Sequence, residues 1–558
     1  MTPHPSIDRR SLLVGATAML GGCVTCRIPR ADAAAATVGD AHAHFFNLSD
    51  LPVHGFMRHV LAPTYAPNAP EIILALADLA AWVAKTLTVS ARAEIRRLGR
   101  SVRLGEAKVE ADAFARAVAD RQMAVINAAA PGALAAADPR VDLAASYLAL
   151  SRMVGANGPA PEPNGGKPGS GQRATIDSSV YRQIAEQADS GRGAASADPG
   201  NAGARDARAI IGWIYLMCQP RCLHVIRYRD TIKASNARVD HAINLLVDFD
   251  RWLGDRPDQA SKQSDQVAFW TRYASIAKRE GSPITLHTFA GYDPLRHAGE
   301  RLSGTRPYLE TMLDWIRAEQ AANQAASHRI RGFKLYPPMG FRASSNGDLD
   351  VSHGERGARE VRTWWTKQGW DIARVGREVD ISLDQFFRAS AELDVPLLAH
   401  AANSMASMEG AGVRASPRFW IERAKQVQGW GGNPLRVCLG HFRRSVENRA
   451  LLVEILRLNK PASDGRPGAQ IYVDMSYDDD ILSGSANDVL DFFASACREA
   501  NSQGEYVLFG SDWIMVGQDA RAHAYLSNLR DAVANHCFWG SKSALLFREN
   551  MLKFLKLS

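Results

Sequence analysis

Two histidines stand one residue apart, His42 and His44, in the stretch "VGDAHAHFFNLSD". On a β-strand, residues i and i+2 face the same side, so both imidazoles would point one way. Two neutral imidazoles side by side in an interior are costly to satisfy unless one partner binds both, and a divalent metal does so. Later apolar runs close on further polar residues: Lys334 in "IRGFKLY", His400 in "VPLLAHA", His441 in "LRVCLGHF" and Asp512 in "YVLFGSDW". Imidazole and carboxylate together are the ligand set for zinc and neighbouring transition metals. Taken singly each has a plain reading: a satisfied core histidine for His400 or His441, a helix cap for Asp512, a rim lysine for Lys334. Taken together, in order and at strand ends, a metal centre explains them with fewer coincidences. Around it, His287 in "TLHTFAGYDP", Tyr336, Asn403 and Ser404 are the candidate substrate contacts. The tryptophans of "WWTKQGW" (364–370) suit helix packing or an aromatic wall.

These residues need a scaffold that brings several strand ends together. Apolar, β-branched runs recur between helical patterns, as βαβ units require. They begin at Ala242, Pro283, Ile330, Val395, Leu435, Ile471 and Tyr506, and the segment around His42 adds one more. Eight buried parallel strands, each followed by a helix, predict a closed (β/α)8 TIM barrel, whose active site lies at the C-terminal strand ends. One interval breaks the pattern. Residues 51–239 are expected to form a mainly helical insertion after the first strand. Within it, residues 155–206 are too rich in Gly, Pro, Ser and Ala to bury a core and read as linkers.

The chain of 558 residues is 46% hydrophobic, enough for a large core, so disulfide staples are not required. Its net charge of +7 is spread without a basic run, which argues against a nucleic-acid partner. Cys218 and Cys222 in "CQPRC" lack the second ligand pair of a zinc knuckle; a disulfide or two ordinary thiols remain. Residues 1–33 pair Arg9 and Arg10 with a short apolar stretch and read as an address. They resemble a twin-arginine export signal. "LGGC" resembles a lipoprotein box that would lipidate Cys23, whereas "ADA" at 31–33 would release a soluble chain. Either fate puts the protein in the periplasm or anchored facing it.

The set "DAHAHFFN", "GFKLYPPMGF", "LLAHAANS", "NPLRVCLGHF" and "LFGSDW" resembles the amidohydrolase superfamily. It is most similar to the amidohydrolase-related branch that includes aminocarboxymuconate-semialdehyde decarboxylase, and "ALLFRENMLKFLKL" looks like that branch's closing helix. The resemblance implies a divalent ion, zinc above others, as one or two ions. His42, His44, His400 and Asp512 match its ligands, with Asp512 also handling the proton of the attacking water. His441 matches a second-metal ligand or an oxyanion contact. Lys334 matches a carboxylated bridging lysine, or else contacts an anionic substrate. The implied reaction is hydrolysis of an amide, ester or lactone in a small molecule; a decarboxylase, a hydratase or a non-catalytic binding protein are the alternatives. Where the family ends on "SDxP", this chain has "SDWI". An oligomer is compatible with all of these readings.

Overall fold

The computed structural model describes residues 36–61, 88–103, 217, 220–253, 261–279, 282–322, 329–347, 369, 372–408, 410–430, 432–461, 468–519 and 521–557. Eight parallel strands run in chain order around one sheet. They are β1 (Ala36–Ala43), β2 (Ala237–Leu245), β3 (Thr285–Gly291), β4 (Gly332–Leu335), β5 (Leu397–His400), β6 (Arg436–Gly440), β7 (Gln470–Asp474) and β8 (Val507–Leu508). The ring closes between β8 and β1. There Ala41 N donates to Phe509 O at 3.0 Å and Asp512 N donates to His42 O at 2.7 Å, with a parallel bridge joining Ala43 to Trp513. The expected (β/α)8 barrel is therefore the observed fold.

Helices cover the outside: α1 (Ala91–Arg103) and α2 (Arg221–Ala234) between β1 and β2, then α3 (Gln263–Arg279), α4 (Pro294–Leu302), α5 (Tyr308–Ala321) and α6 (Ile372–Glu392). They continue with α7 (Pro417–Gly429), α8 (Val446–Leu458), α9 (Ala486–Ala500), α10 (Ala522–Asn535) and α11 (Asn550–Phe554). Their starts follow local chemistry. Asp293 accepts from Leu295 N ahead of Pro294, and Ser445 accepts from Asn448 N, so orphan amides at α4 and α8 are capped.

Inward-facing Ala41, Ile243, Leu245, Phe289, Leu398, Cys438, Tyr472 and Leu508 fill the barrel. Met551, Phe554 and Leu555 of the C-terminal segment close its lower end, where Arg436 Nη1 at the start of β6 donates to Phe554 O at 2.6 Å. The C-terminal strand ends are the end that this segment leaves uncovered. The linkers expected at 155–206 and the tryptophans 364, 365 and 370 lie outside the described residues, as do residues 1–35. Of the insertion, α1 and α2 are described. They are joined to the barrel by a buried ion triad in which Arg221 donates to Asp50 Oδ2 at 2.8 Å and to Glu94 Oε2 at 2.7 Å. Cys222 is disulfide-bonded, and Cys438, Cys497 and Cys537 are free; Cys218 lies outside the described residues.

Candidate metal centre

Strand geometry alone does not deliver both opening histidines to the barrel axis. In β1, Asp40 pairs with Ala242 and Ala43 with Asn244, so β1 carries one residue more than β2 between these partners. Such a bulge re-aims side chains. It lets Ala41 pack in the interior while His42 and His44, one step out of phase with it, also reach the centre. Glycines make the room. A Cβ on Gly440 would lie 2.6 Å from His42 Cε1, and one on Gly510 would lie 2.7 Å from His42 Cβ.

Hydrogen bonds fix which nitrogen faces inward. His42 Nδ1 lies 2.8 Å from Asp474 Oδ2, an acceptor, so it carries the proton. His44 Nδ1 donates likewise to Leu245 O at 2.9 Å. Both Nε2 lone pairs are left facing Asp512 Oδ1, at 3.7 Å from His42 and 3.6 Å from His44. These distances are too long for hydrogen bonds. They are close to the roughly 3.3 Å that separates two ligands of a tetrahedral ion held at ~2.0–2.1 Å. Burial, with the Lys334 charge second, pushes the His42 imidazole well below its ordinary pKa; the same causes push His44 down to about 3. Both are therefore neutral, as ligands must be. Burial pushes the Asp512 carboxyl well above its ordinary value; a nearby cation would oppose that.

Among the described residues two buried groups could hold an ion: His42, His44 and Asp512, and His42, His441 and Asp474. In the first, both Nε2 atoms keep acceptor lone pairs, that of His42 facing Lys334 Nζ at 3.3 Å. In the second, His42 Nδ1 is already spent on Asp474 Oδ2, and Asp474 Oδ1 accepts from His441 N at 2.9 Å and from Ser476 N at 3.1 Å. That second group is a supporting frame. A carboxylate on the far nitrogen of a ligating histidine fixes the ring and raises its basicity.

His400 and His441 complete the surroundings. The His400 ring lies 4.8 Å from that of His441 and stacks on Tyr336 at 4.5 Å. Its Nε2 meets Ser404 Oγ at 3.1 Å, whereas its Nδ1 is buried with no hydrogen-bond partner. That orphaned nitrogen fits a ligand role, although His400 is not among the atoms that converge on Asp512. His441 Nδ1 donates to Ser476 O at 3.1 Å, leaving Nε2 as an acceptor 3.9 Å from Asp512 Oδ2. In this tautomer His441 offers Nε2 to the centre as an acceptor, as a ligand role would need. Lys334 is buried, its Nζ 3.3 Å from His42 Nε2, and burial pushes its pKa down to about 8. Two residues of the centre hold strained backbone. His441 (φ 57°) and Asp512 (φ 51°) are non-glycine residues in the left-handed region, a cost of about 1–3 kcal/mol each that surrounding contacts must impose.

Other expectations fare differently. His287 is not at the rim: it pairs in register with Ile243, while Lys334 pairs with Gly291, four residues further along β3. At ~3.3 Å per residue it sits roughly 13 Å below the lysine, where its Nε2 meets His241 Nδ1 at 2.9 Å. Asn403 is exposed and packs against Gly412, while its neighbour Ser404 makes the contact to His400. Sequence reading missed Asp474 and also Asp40, which accepts from His42 N at 2.9 Å, Ser511 N at 3.0 Å and Tyr228 OH at 2.6 Å. Asp474 closes the apolar run of β7 just as Asp512 follows that of β8, so the same rule would have found it.

The barrel and its buried His/Asp groups are compatible with a metal-dependent enzyme. No family model, no curated protein and no solved structure matches this chain.

Proposed function

We propose that this chain is a metal-dependent hydrolase of the amidohydrolase superfamily, exported to the periplasm, acting on an amide, ester or lactone of a small molecule. One observation carries the reading. His42 Nε2, His44 Nε2 and a carboxylate oxygen of Asp512 converge within 4.8 Å at the open end of the barrel, with the two outer imidazole nitrogens already committed. When bound there, a divalent ion supplies a Lewis acid that polarises a carbonyl and acidifies water. Asp512 takes the proton of the attacking water and returns it to the leaving group. His441 Nε2, an acceptor beside Asp512 Oδ2, orients that water. Lys334 places a positive charge where negative charge develops. Asp474 and Asp40 touch no substrate; they hold His42 in place.

A lyase on the same centre is the second reading. It fits a single ion held by His42, His44 and Asp512. A panel of amides, esters and lactones assayed with and without zinc tests the first reading. Turnover should require the ion and vanish in Asp512→Asn. Normal turnover by a folded Asp512→Asn would overturn it, and carbon dioxide release from aromatic acids without any hydrolysis would put the lyase in its place.

A further inference from the structure

The stretch that carries His42 and His44 is bracketed by two buried carboxylates, Asp40 at one end and Asp50 at the other. One helix holds both. Arg221 and Tyr228 stand seven residues apart on α2, about two turns, so they share a face. Arg221 Nε donates to Asp50 Oδ2 at 2.8 Å, and Tyr228 OH donates to Asp40 Oδ2 at 2.6 Å. The helix is thus laid along the ligand-bearing segment as a splint. Its far end is tied as well. Just past it, Ser235 Oγ donates to His523 O at 2.7 Å and Ser235 O accepts from Arg530 Nη1 at 2.9 Å, so α10, the helix after β8, anchors it.

The contact at Asp40 leads to the metal centre. Asp40 is fully buried and lies across the seam that closes the barrel. Its Oδ1 accepts from His42 N at 2.9 Å in β1 and from Ser511 N at 3.0 Å after β8. One oxygen therefore joins the backbone of a candidate ligand to the residue before Asp512, whose left-handed backbone (φ 51°) must be imposed by its surroundings. Tyr228 fixes how that carboxylate is turned, because its hydroxyl takes the other oxygen. The tyrosine ring is itself wedged, 5.2 Å from Phe45 and 5.6 Å from Trp513, the chain neighbours of His44 and Asp512. A buried carboxylate that loses a donor turns to find another, and here any turn moves the two amides that it clamps.

We propose that Tyr228 is a positioning residue of the metal centre: through Asp40 it holds the His42 and Asp512 segments in place, and so couples the helix between β1 and β2 to the ligand geometry. The proposal rests on the reading of His42, His44 and Asp512 as metal ligands. Its test is Tyr228→Phe, which keeps the wedged ring and removes one hydroxyl. Zinc affinity is read by chelator competition, ligand geometry by the absorption spectrum of the cobalt(II) form, and the clamp by hydrogen exchange at the His42 and Ser511 amides. Zinc binding should weaken about tenfold, the low end for loss of an outer partner. The cobalt spectrum should change, and the two amides should exchange faster while β5 keeps its protection. A folded Tyr228→Phe with wild-type affinity, spectrum and exchange would overturn the proposal. So would a lowered melting temperature with those three unchanged, the mark of a purely structural tyrosine. If Tyr228→Phe does not fold, Asp40→Asn takes its place, since it keeps an oxygen for the two amides and exchanges the carboxylate facing Tyr228 for an amide. Wild-type zinc affinity and cobalt spectrum in that variant would equally overturn the proposal. If the wild type takes up no zinc, the metal reading fails separately, and exchange at His42 and Ser511 still decides the role of Tyr228.

Discussion

Asp474 holds three parts of the centre at once: the Nδ1 of His42, the strained backbone of His441 and the amide of Ser476. Replacing it by Asn keeps the shape but removes the charge that orients and polarises His42. Asp474→Asn should lower metal affinity roughly 10–100-fold, read by competition with a chromogenic chelator, while the melting profile stays cooperative. Unchanged affinity would mean that Asp474 is only structural. Gly440→Ala makes a steric version of the test. Its Cβ would lie 2.6 Å from His42 Cε1, so His42 must shift and metal affinity should fall while Lys334, Asp474 and Asp512 remain present. The ligand types were legible in the sequence because a polar residue closing an apolar run stands out. The committed nitrogens were not, since they depend on Leu245 O and on Asp474, distant in the chain.

Among the elements, β1 shows where periodicity stops being enough. Simple alternation puts Ala41 and His42 on opposite faces; the extra residue between Asp40 and Ala43 places both toward the interior. The number of strands could be read from the apolar runs, but their ends could not. β8 is in register with β7 only at Val507 and Leu508, while Phe509, Asp512 and Trp513 after it bond to β1 and help build the site. The order of α1 and α2 in the chain likewise says nothing of how they attach. Arg221 does that, fully buried between Asp50 and Glu94. Arg221→Ala strands two buried carboxylates and should cost about 3–5 kcal/mol in denaturant unfolding. A loss below ~1 kcal/mol, the worth of a surface pair, would contradict the triad's role as a tie.

In the whole molecule, polar groups gather at one end of the barrel and the apolar plug at the other, which directs ligands to a single mouth. Charge storage at that end also sets a pH response. Burial, reinforced by the Asp248 charge, pushes the Asp293 carboxyl from 3.8 up to about 7. Because the folded value exceeds the unfolded one, folding favours the protonated form. The penalty is absent below the unfolded value and complete only above the folded one. Asp293→Asn keeps the oxygen that accepts from Trp252 Nε1 and Leu295 N. Its melting temperature should therefore exceed that of wild type at pH 8, with the gain shrinking toward pH 4. An equal shift at both pH values would place the effect in packing rather than ionisation. None of this was legible beforehand, since it arises where loops after β2 and β3 meet.

Metal content per folded chain, measured by elemental analysis on protein purified without chelator, tests the central claim most directly. About one divalent ion per chain is expected in wild type, and its loss from a still-folded His44→Ala. A well-folded wild-type chain that holds no ion and takes none up from added zinc would contradict it.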